Sequence, residues 1–345
     1  MFDHEKIPGM MQKEGNYKKL FKDFNKLNVM IIGDVMVDSY LWGKVERISP
    51  EAPIPIVALR KREHRMGGAA NVAMNIRSMG ANPILCSVIG TDDKGDQFLD
   101  LLKKEKIDDA GIVRSTRRIT TTKFRIFGNA FQMLRVDEEM DNDLVQGDFF
   151  TLLRVIDHIM TKVKVDAIIF QDYDKGVITQ KLISEVVKRA QARDIPVTVD
   201  PKKKNFMSYK NVTLIKPNLK ELRDGMNLPH ELVDKQSVIA SAQQLRDSLN
   251  CRYVLTTMSE KGVMMSMKDN TAGDNIFIPA HMRMISDVSG AGDTVISLAS
   301  MCLALKCTPY EVAYISNLAG GLVCEEVGVV PINKEKLLKE VLALL

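Results

Sequence analysis

Short apolar runs recur along this chain, and the first of them ends on a polar residue. Val29-Met30-Ile31-Ile32 leads into Gly33-Asp34, as a buried parallel strand does when it delivers a polar side chain to the carboxyl edge of a sheet. Residues 84–89, 166–170, 196–200, 212–216 and 253–257 are further apolar or β-branched runs. Amphipathic helical stretches lie between many of them, at 71–79, 179–192 and 237–249. This alternation predicts an α/β fold, a doubly wound and mostly parallel sheet with helices on both faces. Binding residues then collect at the strand ends. Ahead of the first strand, Tyr17, Leu20, Phe21, Phe24 and Leu27 fall at helical spacing between lysines, which predicts a helix packed on the domain.

Two segments break the rhythm. Residues 35–64 hold Pro50, Pro53 and Pro55, which exclude a regular helix in a stretch too long for a simple turn. Within 117–137 the chain reads as a hairpin, with strands at 120–127 and 130–137 about Gly128-Asn129. Together they suit a small β-sheet lid over a site, although an ordinary surface hairpin also accounts for the second segment. No internal repeat, low-complexity tract or long linker divides the chain. Residues 1–345 are therefore read as one domain with the lid inserted in it.

Composition narrows the class. Hydrophobic content of 45% and charged content of 27% are those of a soluble globular protein. The 48 basic against 44 acidic residues leave +4, too small an excess to point to nucleic acid, though basic pockets would suit a phosphorylated substrate. Cys86, Cys251, Cys302, Cys307 and Cys324 are scattered and include no Cys-x-x-Cys pair. They predict buried free thiols in a reducing compartment rather than zinc or disulfides. The N-terminus is charged from Asp3 onward, and no run approaches the ~18 apolar residues of a membrane span. The expectation is a cytoplasmic protein without membrane or nucleic-acid partners.

Candidate chemistry lies in a few short motifs. Gly290-Ala291-Gly292-Asp293 precedes a helical stretch through Val295, Leu298, Ala299, Cys302 and Leu303. Glycines at a helix start let the backbone approach an anion, where free N–H groups and the helix dipole stabilise a phosphate. Asp293 then stands in the first turn, placed to accept a proton from an attacking hydroxyl; it is equally the acid that helix starts favour. Asn218-Leu219-Lys220-Glu221 forms a capping box in one reading. In the other, Glu221 holds a magnesium-bound water near nucleotide phosphates. Gly67-Gly68 with Asn71 permits close approach of a polyol, or simply tight packing. Asp34 and Asp38 could grip hydroxyls or form turns.

Lys123 and Arg125 share a face by alternation and, with Arg135, could meet a phosphate or form a charged edge strand. Lys202-Lys203-Lys204 is a basic loop that could meet phosphate or water. The phosphate-binding G-x-x-x-x-G-K-[ST], the dinucleotide G-x-G-x-x-G, His-x-x-Glu-His and Gly-x-Ser-x-Gly are all missing.

Taken in order, Gly33-Asp34, Gly67-Gly68 with Asn71, Asn218 with Glu221, and Gly290 to Asp293 resemble the ribokinase-like (PfkB) carbohydrate kinases over about residues 28–330. The resemblance implies ATP and Mg²⁺ as cofactors and leaves a monovalent cation open. It makes Asp293 the base and Gly290, Ala291 and Gly292 the anion hole. Asn218, Leu219, Lys220, Glu221, Ser259, Gly262 and Asn317 go to the nucleotide side, with Glu221 near the metal. Asp34, Asp38, Gly67, Gly68, Asn71, Lys123, Arg125, Arg135 and Asp172 go to the substrate side. It further implies a lid used for homodimerisation.

Residues 47–55, Thr120 to Lys123, Leu134 to Asp137 and Lys216 to Glu221 resemble D-glycero-β-D-manno-heptose 7-phosphate kinases. Those enzymes make a 1,7-bisphosphate on the route to the ADP-heptose of lipopolysaccharide. The His-x-Gly-His of an associated nucleotidyltransferase is missing, so kinase activity without adenylyl transfer is the expectation. Gln171 stands where that family usually has Ser, Asp174 where it has Gly, and Ser289 where it has Thr. The loop at 60–65 is unusually basic.

Overall fold

The computed structural model describes residues 14–229, 234–267, 275–281 and 283–343. The expectation drawn from the first residues lies outside that range. In chain order come α1 (Glu14–Asp23), β1 (Asn28–Gly33), β2 (Val35–Ile48), β3 (Pro55–Gly68), α2 (Ala69–Ser78), β4 (Asn82–Gly90), α3 (Asp93–Lys104) and β5 (Ile112–Ser115). Then follow β6 (Thr122–Gly128), β7 (Phe131–Glu138), α4 (Gln146–Lys162), β8 (Ala167–Gln171), α5 (Gln180–Gln191), β9 (Val197–Asp200), β10 (Leu214–Ile215) and α6 (Leu219–Gly225). The rest is α7 (Lys235–Leu249), β11 (Tyr253–Thr257), β12 (Val263–Met267), β13 (Ile276–Ile278), α8 (Ala291–Ala304), α9 (Pro309–Val323) and α10 (Lys334–Ala343).

Nine strands form one sheet in the order β13-β12-β11-β10-β9-β8-β1-β4-β5. It is parallel from β5 across to β11, with β12 and β13 running antiparallel at one edge. Period-two alternation in β1 divides its side chains between two cores. Val29 and Ile31 join Tyr17, Phe21, Ala73 and Leu298 on one face, while Met30 and Ile32 join Ile156, Val186 and Leu245 on the other. The doubly wound expectation holds. Strand order reverses at β1, which pairs with β4 on one side and β8 on the other. The crevice outside such a reversal is where open α/β sheets bind ligands.

The two segments that broke the rhythm form a separate four-stranded sheet in the order β3-β2-β6-β7. β2 pairs antiparallel with β3 and parallel with β6, and β6 and β7 make the hairpin. Its turn lies one residue later than expected, at Asn129-Ala130, both with positive φ (52° and 72°). A two-residue turn that matches strand twist requires that conformation at both positions. Gly128 stays within β6 because it packs on Val45, whose Cγ2 would lie 2.5 Å from an added Cβ. On one face Trp42 stacks on Phe127 with ring centroids 4.0 Å apart. The sheet is tied to the main body at its root, where Ala69 N donates to Asp34 O at 2.9 Å.

Candidate active site

Polar residues that close successive main-sheet strands meet at one end of the sheet. Gln171 ends β8, Asp200 ends β9, Lys216 follows β10 and Thr257 ends β11. All four line a cleft of about 540 Å³ whose opposite wall includes Gly290, Ala291, Gly292 and Asp293. Gly290 caps α8 in the left-handed region, φ 82°, and Asp293 follows in the first turn, where backbone N–H groups have no intrahelical acceptor.

Asp293 is buried and held by three neutral donors. Asn71 Nδ2, from the first turn of α2, donates to Oδ2 at 2.6 Å. Gln171 Nε2 and the Tyr173 hydroxyl both donate to Oδ1 at 3.0 Å. Burial pushes the carboxyl up to about 6, and the Asn71 bond works against it. Gln171 Nε2 also reaches Asp200 Oδ2 at 3.3 Å, and Asp200 pairs with the buried Lys216 at 3.2 Å. A neutral amide thus separates two carboxylates, and a lysine balances the deeper one. Lys202 pairs with Glu221 on the same wall.

The nucleotide-side residues divide. Asn218 and Glu221 line the cleft, and both arms of their capping box are made, at 2.8 and 2.9 Å. Leu219 and Lys220 do not line it; Leu219 faces a smaller hollow with Val238 and Phe277. The reason is helical spacing, since positions three apart share a face and those between do not. Ser259 and Gly262 line the cleft from a tight turn, with φ 52° and 86°. Gly262 has no room for a side chain, because an added Cβ would fall 2.0 Å from Ile278 O. Asn317, on α9, lines it too and donates to Pro279 O at 2.9 Å.

Several substrate-side residues make other contacts here. The Asp34 carboxylate is buried and accepts from the backbone N–H groups of Tyr173, Lys175 and Val177 at 2.9, 3.1 and 3.0 Å. It pins that loop rather than presenting a free carboxylate to a sugar. Asp172 also turns away from the cleft, accepting from Tyr209 Oη at 2.6 Å and Asp174 N at 2.9 Å. Burial, then the nearby Asp34, pushes its carboxyl up to about 7. Gly68 is glycine because φ is 64° and an added Cβ would fall 2.3 Å from Asp34 O. Gly67 leaves room for Asp38.

On the four-stranded sheet, Asp38 pairs with Arg125. Arg135 pairs with Asp137, and Lys123 bridges Asp137 and Glu139 at 3.1 Å each. The basic residues assigned to a phosphate are therefore gathered on one sheet and paired with carboxylates.

Sequence reasoning misses Tyr173, Asp200 and Lys216, and marks Gln171 only as a departure from the resembling kinases. Their signal is the rule that applies to Asp34, a polar residue at the end of a buried strand. Arg283 is missed as well. It lines the far end of the cleft, is bound by Glu325 at 2.6 Å and by Glu340, and crosses Gly321, whose added Cβ would lie 2.8 Å from its Nε. Among the described residues no group of three or more His, Cys, Asp or Glu side chains could cage a metal. Glu221, which lines the cleft paired with Lys202, offers the carboxylate oxygens a hard cation takes.

A family model described as pfkB family carbohydrate kinase matches residues 26–336. The protein named Bifunctional protein HldE from Methylobacillus flagellatus is 37% identical over 313 residues, covering 90% of this chain and 62% of that protein. Its namesake from Geobacter sulfurreducens is 34% identical over 314 residues, covering 91% and 62%. The chain thus spans less than two thirds of the length of these relatives. Among solved structures, Escherichia coli phosphofructokinase-2 in complex with potassium aligns at TM-score 0.73 and 18% identity, over 91% of this chain and 99% of that one. Arabidopsis thaliana ribokinase complexed with ribose and ATP aligns at TM-score 0.68 and 15% identity, over 91% and 98%.

Proposed function

The chain belongs to the pfkB family of carbohydrate kinases, and from that premise we propose that it phosphorylates a sugar phosphate, D-glycero-β-D-manno-heptose 7-phosphate, to the 1,7-bisphosphate. It is an ATP-dependent carbohydrate kinase. The observation that carries the site assignment is Asp293, buried in the first turn of a glycine-capped helix on the wall of the cleft. The heptose assignment rests on the likeness to the two HldE proteins, and the cationic lid residues favour a phosphorylated sugar over a neutral one. In this reading the product feeds ADP-heptose and lipopolysaccharide core synthesis.

The chain's residues would act mostly by position and charge. Asp293 takes the proton of the attacking hydroxyl as its oxygen bonds to phosphorus and the bond to the leaving nucleoside diphosphate breaks. The backbone N–H groups at Gly290 to Gly292, together with Lys216 and Lys202, offset negative charge at the transferring group. ATP with Mg²⁺ supplies the phosphoryl group and part of its charge neutralisation, and Asn218, Glu221, Ser259, Gly262 and Asn317 would hold them. Lys123, Arg125 and Arg135 would receive the far phosphate in exchange for their carboxylates.

The same reading takes residues 1–345 as one kinase domain, cytoplasmic and acting without nucleic acid or membrane. Its lid serves as a homodimer contact, which the exposed Phe131, Leu134 and Val136 of β7 support. No described helix is long and apolar enough to cross a membrane. ADP release measured across heptose 7-phosphate, fructose 6-phosphate, ribose, fructose and adenosine tests the substrate. A preference for a non-heptose would refute the heptose assignment and leave the kinase standing.

A further inference from the structure

We propose that Tyr173 is a positioning residue for phosphoryl transfer: with Gln171 it fills Oδ1 of Asp293, so that the open lone pair of Oδ2 meets the incoming hydroxyl. The proposal rests on the reading of Asp293 as the base. A carboxylate oxygen has two lone-pair sites. Oδ1 receives Gln171 Nε2 and Tyr173 Oη, both at 3.0 Å, whereas among the described residues Oδ2 receives only Asn71 Nδ2, at 2.6 Å. One acceptor site therefore remains, on Oδ2.

Tyr173 is built to hold this contact. Its backbone N–H is bound to Asp34 Oδ2 at 2.9 Å, and Lys202 Nζ lies 5.8 Å from its ring centroid. Burial and the adjoining carboxylates of Asp293 and Asp200 raise its hydroxyl well above the usual tyrosine range, so it remains a donor. Asp34 then acts at one remove, since the carboxylate that pins the 173–177 loop fixes the tyrosine that fixes the base. Gln171 stands where the resembling kinases usually have Ser, and here its amide reaches Oδ1 of Asp293 at 3.0 Å.

The charged groups facing Asp293 are Asp200 from β9, Lys216 from the end of β10 and Lys202 from the loop after β9. Gln171, Asn71 and the Tyr173 hydroxyl are neutral. Removing the tyrosine hydroxyl withdraws a donor from the ionised carboxylate and leaves Asp200 to oppose its charge, so Asp293 should bind its proton more tightly.

The test uses the full chain labelled with ¹³C at aspartate carboxyls, as wild type, Tyr173→Phe, Gln171→Ser and Asp293→Asn. The resonance lost in Asp293→Asn reports Asp293. Its titration midpoint should rise by about one pH unit in Tyr173→Phe, and kcat at pH 6 should fall about fivefold as the ionised fraction drops, with the KM for ATP unchanged. Gln171→Ser should move the midpoint in the same direction. A tyrosine that served only as loop structure would change thermal stability and leave the midpoint in place, and that result overturns the proposal. Full activity of Asp293→Asn would instead remove the base assignment, and the positioning role with it.

Discussion

Asn71 Nδ2 lies 2.6 Å from Asp293 Oδ2, joining residues 222 positions apart. The start of α2 follows the lid's second strand, and the start of α8 carries the glycines of the cleft. The bond therefore locks α2, the sugar-side helix of the proposed reading, to α8, which holds the proposed base. A hydroxyl bound beside Asn71 would lie next to the one open acceptor site of Asp293, which orients the two reactants before any chemistry occurs.

Asp293→Asn should lower turnover by at least about 10²–10⁴-fold, the usual contribution of a general base. Calorimetric ATP binding should persist, because the glycine cap of α8 and the Lys216–Asp200 pair stay in place. Loss of binding in parallel with turnover would show that the residue shapes the cleft rather than moves a proton.

Activity should fall as the medium is acidified through about pH 6, because burial raises Asp293 to that value and only its ionised form accepts a proton. The acid limb of kcat/KM against pH reads this value for the free enzyme. A limb near the ordinary aspartate range would contradict the burial argument.

Asp172 predicts a trend in stability. Its folded carboxyl holds its proton up to about pH 7, while the unfolded one releases it near the usual aspartate value of about 3.9. Between those values the folded state binds more protons, so stability falls as pH rises and levels off above 7. Asp172→Asn should flatten this stretch of the Tm-against-pH curve.

Gly290→Ala should cost about 1–2 kcal/mol, since the residue lies at φ 82° and L-residues are disfavoured there. The added Cβ would also fall 3.1 Å from Asn71 Nδ2 and disturb its bond to Asp293. Denaturant unfolding should give the first effect, and a fall in kcat beyond the loss of folded protein the second.

Arg125→Met should raise the KM for a phosphorylated sugar and leave that for a neutral sugar unchanged. The same variant leaves Asp38 without its cationic partner. An equal rise for both sugars would assign Arg125 to lid structure.

The parallel sheet is legible in the sequence because its strands are apolar on both faces. Val29 to Ile32 and 253–257 stand out against helices in which polar residues recur. β10 is shorter than its apolar run because Val212 belongs to the core without pairing in the strand. α4 escapes notice because no capping side chain marks its start, and α9 escapes notice although Thr308 and Glu311 form a capping box around Pro309 at its own. The lid is legible through its prolines, which rule out the commonest alternative. Asp293 and Asn71 can be named from local patterns, but their mutual bond cannot. Contacts such as Tyr173 to Asp293 and Gln171 to Asp200 join strand ends brought together by the winding of the sheet, and no local spacing encodes them. Asp34 sits at the strand end the pattern predicts but has other neighbours, since a loop's N–H groups compete for a carboxylate as effectively as a sugar does.

The stack of Trp42 on Phe127 has a practical corollary. Trp42 is the chain's single tryptophan, and it lies on the lid rather than on the sheet that carries the cleft. Its emission therefore reports on the one sheet without background from the other. β2 spans 14 residues, about 46 Å if fully extended at ~3.3 Å per residue, so a small rotation at the Asp34–Ala69 root sweeps the far end through several ångströms. Any closure of this sheet over the cleft would be readable from Trp42 in a stopped-flow fluorimeter without any label.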